Sequence, residues 1–177
     1  CYYKAAAQYA GGDIEGALAT YQAMIDYDEE NGNAYYLHGC LSLKQQDTDT
    51  AKKDFANAVK YNPDDYELYV GIYENLAGNN MTEEGEEYLN KAFDIKGNSA
   101  ENLTWRGRIY YLLGQYDNAV KELEGAVKKD SAKANLYLAQ VYEAEEDSAN
   151  AEKYYQAYVD SGTADSVAMN ALAEIQM

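Results

Sequence analysis

Residues 117–130 read Asp-Asn-Ala-Val-Lys-Glu-Leu-Glu-Gly-Ala-Val-Lys-Lys-Asp. Ala119, Leu123 and Ala126 recur at spacings of four and three, which puts them on one face of a helix. Thirty-four residues earlier the same marks carry Gly85, Leu89 and Ala92. Two further steps give Ala51, Phe55 and Ala58, then Ala17, Tyr21 and Met24. In the other direction the spacing loses two residues, and Ala151, Tyr155 and Tyr158 take the positions. A fixed period of this length is the mark of a repeat array, in which each unit buries its apolar face against its neighbours.

A second helical pattern precedes each of these. Tyr35, His38, Gly39 and Ser42 form one, and Leu103, Arg106, Gly107 and Tyr110 the corresponding one. The small third residue lets two helices approach closely. Turn-forming residues lie between the two patterns at Gly11–Asp13, Gln46–Asp47, Gly78–Asn80, Gly114–Asp117 and Glu146–Asp147. Gly and Asn are expected to supply a left-handed cap there, with Asp or Thr capping the helix that follows. The single proline, Pro63, stands where a second helix must stop.

The pattern resembles the tetratricopeptide repeat (TPR), a 34-residue helix-turn-helix unit with aromatic, Leu-Gly and Tyr marks in its first helix and Ala marks in its second. The fourth unit matches best, through Gly107, Tyr110, Gly114, Tyr116, Ala119, Leu123 and Ala126; the second adds Tyr35, Gly39, Ala51, Phe55, Ala58 and Pro63. The third departs, with Tyr73 for the upstream glycine and Gly85 for the first alanine. The resemblance implies an all-α, right-handed superhelical solenoid of antiparallel hairpins. Its expected units are residues 1–30, 31–64, 65–97, 98–130 and 131–162. Residues 163–177 form one more helix, either a cap or the start of a further repeat, with Thr163 at its head and Val167, Leu172 and Ile175 as apolar marks.

Composition narrows the function. The net charge is −17, from 14 basic and 31 acidic residues. Nucleic-acid affinity rests on Lys and Arg neutralising phosphates, so no nucleic-acid partner is expected. A basic partner would be attracted, although self-repulsion for solubility explains the same charge. No apolar run is long enough to span a bilayer. Of the two cysteines, Cys40 falls in an apolar helical pattern. Cys1 is the residue type with which a mature bacterial lipoprotein begins. Lipid attachment at Cys1 would tether the chain to a membrane outside the bacterial cytoplasm; a cytoplasmic chain is the alternative.

No catalytic constellation, cofactor motif or metal set emerges, and an enzyme is not expected. The single His38 reads as a satisfied core residue. Two residues apart on a helix, His38 and Cys40 point in different directions and cannot act as a nucleophilic pair. Glu83, Glu84, Glu86 and Glu87 open a helix, where acids complement its dipole.

The resemblance implies a protein-interaction scaffold whose concave groove is lined by the first helix of each unit. Carried onto this sequence, the groove positions are Tyr36, Cys40, Leu43 and Lys44 in the second unit and Glu74 in the third. The fourth supplies Arg108 and Tyr111, and the fifth Gln140 and Glu143. Tyr2 and Tyr9 belong to the first. The Lys and Asn clamp that captures a chaperone's terminal carboxylate has no counterpart at these places. An extended or helical peptide with apolar anchors and some positive charge fits better. The alternative is an assembly role, in which repeat ends stack on another copy.

Overall fold

The structure, a computed structural model, describes residues 1–163 and 166–176. Helices account for about three quarters of them. The order is α1 (Tyr2–Ala10), α2 (Ile14–Tyr27), α3 (Gly32–Lys44), α4 (Thr48–Tyr61), α5 (Tyr66–Ala77) and α6 (Thr82–Ala92), followed by α7 (Ala100–Leu112), α8 (Tyr116–Val127), α9 (Ala132–Ala144), α10 (Ser148–Asp160) and α11 (Ser166–Ile175). Consecutive helices pair as α1–α2, α3–α4, α5–α6, α7–α8 and α9–α10, with α11 against α10. The chain forms two compact units, Cys1–Ile95 and Lys96–Met177. Among the described residues, no helix is long and apolar enough to cross a membrane.

The marks read from the sequence form the buried spine of each hairpin. Ala17, Ala51, Ala119 and Ala151 are fully buried, as are Phe55, Leu89 and Leu123 one turn further on. Small residues at the first mark bring the two backbones together, and the larger second mark fills the space between them. In the first helices, Gly39 and Gly107 hold the contact. A Cβ on Gly107 would stand 2.4 Å from Leu123 Cγ and 3.3 Å from the Ala119 carbonyl oxygen.

The third hairpin exchanges the two sizes. Tyr73 occupies the glycine place, and its ring lies where a Cβ on Gly85 would meet it at 3.0 Å. Its two departures from the family pattern are therefore one change, the small residue having moved from α5 to α6.

Hairpin turns repeat as strictly as the core. Gly12, Gln46, Asn80, Gly114 and Glu146 all have positive φ, between 61° and 82°. They stand 34 residues apart until the last, which comes 32 after Gly114. Left-handed geometry was expected of Gly and Asn; Gln46 and Glu146 adopt it too, because the tight turn fixes that φ whatever residue occupies it. The two residues missing from the fifth repeat are lost at the end of α8. That helix has 12 residues against 14 in α2 and α4, and Asp130, three residues after its end, turns left-handed.

Side-chain caps begin most helices. Asp13, Asn31, Asp47, Asp65, Ser99, Ser131 and Asp147 each accept from the backbone N–H three residues on. Two expected caps are corrected. Thr82 is the first residue inside α6 and Asp117 lies within the first turn of α8. Met81 and Gln115 hold the cap positions and make no cap hydrogen bond. At the last helix, α11 begins at Ser166, beyond Thr163, and the residues between them include 164–165, outside the described residues. Ala168 and Leu172 form its buried marks, whereas Val167 is 72% exposed.

Candidate functional site

In the first unit, the expected groove residues divide between surface and core. Leu43 is 3% exposed and packs with Phe55, Leu68 and Ile72, so it offers no surface to a ligand. This corrects its place among the groove residues: α3 turns that side chain toward α4 and α5. Tyr36 and Cys40 are half-buried neighbours one turn apart on α3. Burial pushes the Cys40 thiol up to about 11, so it is a neutral packing group rather than a reactive thiolate. Tyr36 is likewise raised by burial, and its hydroxyl accepts from Asn75 Nδ2 at 3.3 Å.

Lys44 is exposed at the end of α3 and meets Tyr9 of α1. Its ammonium donates to the Tyr9 hydroxyl and lies 4.6 Å from the ring centroid. Two expected groove residues from neighbouring hairpins are thus joined. Glu74 is exposed on α5. His38 lies outside this surface. Its Nδ1 is 2.6 Å from Asp54 Oδ2, and both side chains are nearly buried. It is the satisfied histidine its place in the pattern implied.

In the second unit the expected residues fall into two groups, one around Arg108 and one around Tyr111 and Glu143. Arg108 on α7 donates to the Tyr137 hydroxyl at 3.1 Å, with its guanidinium carbon 5.3 Å from the Tyr137 ring centroid and 5.4 Å from that of Trp105. Lys133 lies 5.6 Å from the same indole. Two cations therefore share one aromatic residue, an arrangement attractive through the ring quadrupole. Tyr111, half-buried and 6.0 Å from Tyr116, is raised above the usual tyrosine range first by burial. Gln140 is half-buried and Glu143 exposed. The Tyr155 hydroxyl donates to Glu143 Oε2 at 2.8 Å, and burial together with this carboxylate holds that phenol well above its usual range.

Trp105 and Tyr137 are the functional candidates that the family's groove positions miss. They stand 32 residues apart, the spacing of the last repeat, and so occupy the same place in consecutive first helices. That coincidence was available in the sequence as its signal. Cys1 is an exposed free thiol.

Comparison with known proteins agrees with this architecture. The tetratricopeptide repeat family matches residues 32–65 and 106–166, together more than half of the chain. No curated protein matches. Among solved structures, a thermophilic TPR protein of Thermus thermophilus is 21% identical over 97% of this chain and 95% of its own, with a TM-score of 0.61. YrrB, described as a TPR protein with an unusual peptide-binding site, is 20% identical over 98% of this chain and 89% of its own, with a TM-score of 0.56. Yeast Tom70 has a TM-score of 0.73 at 18% identity, this chain spanning 38% of its length. At these identities the likeness speaks for the fold. TPR proteins are generally protein-interaction scaffolds. The buried marks, the repeating left-handed turns and both sequence matches lead to one assignment: the chain belongs to the tetratricopeptide repeat family.

Proposed function

We propose that this chain is a non-catalytic interaction module that holds a peptide or protein segment against the first helices of its hairpins. The observation that carries this reading is the cluster around Trp105 in the second unit. There the indole of Trp105 lies between the Arg108 and Lys133 cations, the guanidinium held by the buried Tyr137, so aromatic surface stands beside fixed polar groups, the composition from which binding hot spots are made. Glu143, held by Tyr155, gives the same face an oriented acceptor. A segment with an apolar or aromatic anchor for Trp105 and Tyr111, and a basic residue for Glu143, satisfies these groups. The net charge of −17 favours its approach. The description of YrrB as a peptide binder supports a peptide ligand by analogy alone.

The test uses an array of synthetic peptides in which Leu, aromatic and Lys content are varied, followed by titration calorimetry of the best binder. Tyr111→Ala and Glu143→Lys are each expected to weaken that binder at least about tenfold. Arg108→Glu disrupts the ring cluster and is expected to do the same. Undiminished binding by all three variants would dismiss the assignment.

A further inference from the structure

Two places meet inside the hairpins, one near the end of the first helix and one at the middle of the second. They carry Leu43 and Phe55 in the second hairpin, Ala77 and Leu89 in the third, and Tyr111 and Leu123 in the fourth. Leu43 shares a core cluster with Phe55, and Tyr111 packs on the cluster of Leu123. The fifth hairpin instead sets Glu143 opposite Tyr155. This tyrosine is 3% exposed, and its hydroxyl donates to Glu143 Oε2 at 2.8 Å. Burial first, and then the carboxylate, hold the phenol well above its usual range, so it remains a donor at neutral pH. The fold does not ask for this bond. Phe55 and Leu89 fill the same place with no hydroxyl to satisfy, and an apolar pair closes the contact. A polar pair that departs from the repeat without a packing reason marks a site.

The bond also limits what the carboxylate can hold. Glu143 is exposed, and among the described residues no Lys or Arg pairs with it. With Oε2 committed to Tyr155, Oε1 is left for a ligand. A guanidinium is held best by both oxygens of a carboxylate at once, whereas an ammonium is a compact charge that one oxygen serves. Tyr111 is close enough for its phenol to feel the Glu143 charge, and its ring gives a surface along which a four-carbon stem can lie. We propose that Glu143 takes the ammonium of a lysine in the bound segment, and that Tyr155, although it belongs to a second helix, is the positioning residue that makes this place prefer lysine to arginine. The inference rests on the groove reading above and adds to it the identity of the basic residue.

The test takes the best binder of the peptide array, remade with Lys, Arg or norleucine at each basic position in turn, and titrates it calorimetrically against the full chain. At one position Lys is expected to bind at least about fivefold tighter than Arg and about tenfold tighter than norleucine. Tyr155→Phe places in α10 the residue that α4 carries, so circular dichroism and the urea midpoint should stay near those of the parent. The same variant should bring Lys and Arg to within about twofold of each other. Glu143→Gln keeps an acceptor for Tyr155 and removes the charge, and it should abolish the preference for Lys over norleucine. Equal binding of Lys and Arg by the parent overturns the proposal, as does a lysine preference that survives Tyr155→Phe or Glu143→Gln. In each of those outcomes the peptide still binds, and the groove reading stands. An array with no binder at all would instead remove the groove reading, and this inference with it.

Discussion

The third and fourth hairpins solve one packing problem in opposite ways. In the fourth, Gly107 of α7 gives way to Leu123, and beside it Arg106 pairs with Glu122 at 3.0 Å. In the third, Tyr73 of α5 fills the glycine place, Gly85 of α6 gives way, and the neighbouring pair is Ile72 and Tyr88. Ile72 is fully buried where Arg106 keeps 14% of its side chain exposed. The constraint is thus on the sum of two facing volumes, and either helix can supply the small residue. An ion pair beside that contact is optional, since an apolar pair closes the same gap.

Transplanting one solution into the other hairpin is the strongest way to break the comparison. Gly107→Tyr forces a ring against the fully buried Leu123 and the Ala119 backbone. It is expected to cost about 4 kcal/mol in urea unfolding. Adding Ala119→Gly reproduces the third hairpin's arrangement and should recover about half of that. No recovery would mean that the two hairpins differ by more than the exchange of sizes.

Gly85→Ala runs the comparison the other way. Alanine favours helix by about 1 kcal/mol, yet its Cβ meets the Tyr73 ring at 3.0 Å and the Tyr73 backbone at 3.3 Å. A net loss of about 1 kcal/mol is expected, and Tyr73→Gly together with Gly85→Ala should lose less than the two single changes summed. Simple additivity would sink the claim that the two positions are coupled.

A smaller effect sharpens the role of the ion pair. Arg106→Leu leaves the Glu122 carboxylate facing an apolar neighbour and removes bonds to the Gly97 carbonyl and Asn98. It should cost about 2 kcal/mol. Arg106→Ile with Glu122→Tyr copies the third hairpin and is expected to lie within about 1 kcal/mol of the parent.

The smallest difference is in how the second helices begin. Hydrogen bonds from Thr50 and Asn150 hold the Asp47 and Asp147 carboxyls below the ordinary carboxylate range. Because the folded value is the lower one, their contribution is fully present above the ordinary range and is lost as pH falls through the lowered value. Carboxyl titration by NMR should place both midpoints low. The first turns of α4 and α10 should fray on acidification, whereas α8, which starts at Gln115, should show no such cap-linked step.

Period and core were legible because packing repeats: every buried mark from Ala17 to Tyr158 could be named by its place. Leu43 takes a groove place in the family's numbering, yet as an apolar side chain it is buried in the cluster of Phe55, Leu68 and Ile72, whereas the residues at its place in later repeats, Tyr111 and Glu143, are larger or charged and stay at the surface. Trp105 was missed for the converse reason. Its place is Leu37 in the second unit and Gly71 in the third, so residue type at one position gave no hint until Tyr137 was set beside it. Met81 and Gln115 escaped because nearby Thr82 and Asp117 are better capping residues by type, while the turn's φ fixes which position becomes the cap.

The left-handed residues at 12, 46, 80, 114 and 146 act as the fixed teeth of a ratchet, and the chain keeps slack only between them. Each first helix is followed by a turn of three or four residues that always places the left-handed residue just before the cap, whereas the segments joining hairpins vary more, and the shortened α8 absorbed a deletion without disturbing the teeth. Length changes in such a chain are therefore a matter of phase. A hairpin can be gained, lost or shortened at its trailing end, but a residue added within the turn would rotate everything downstream.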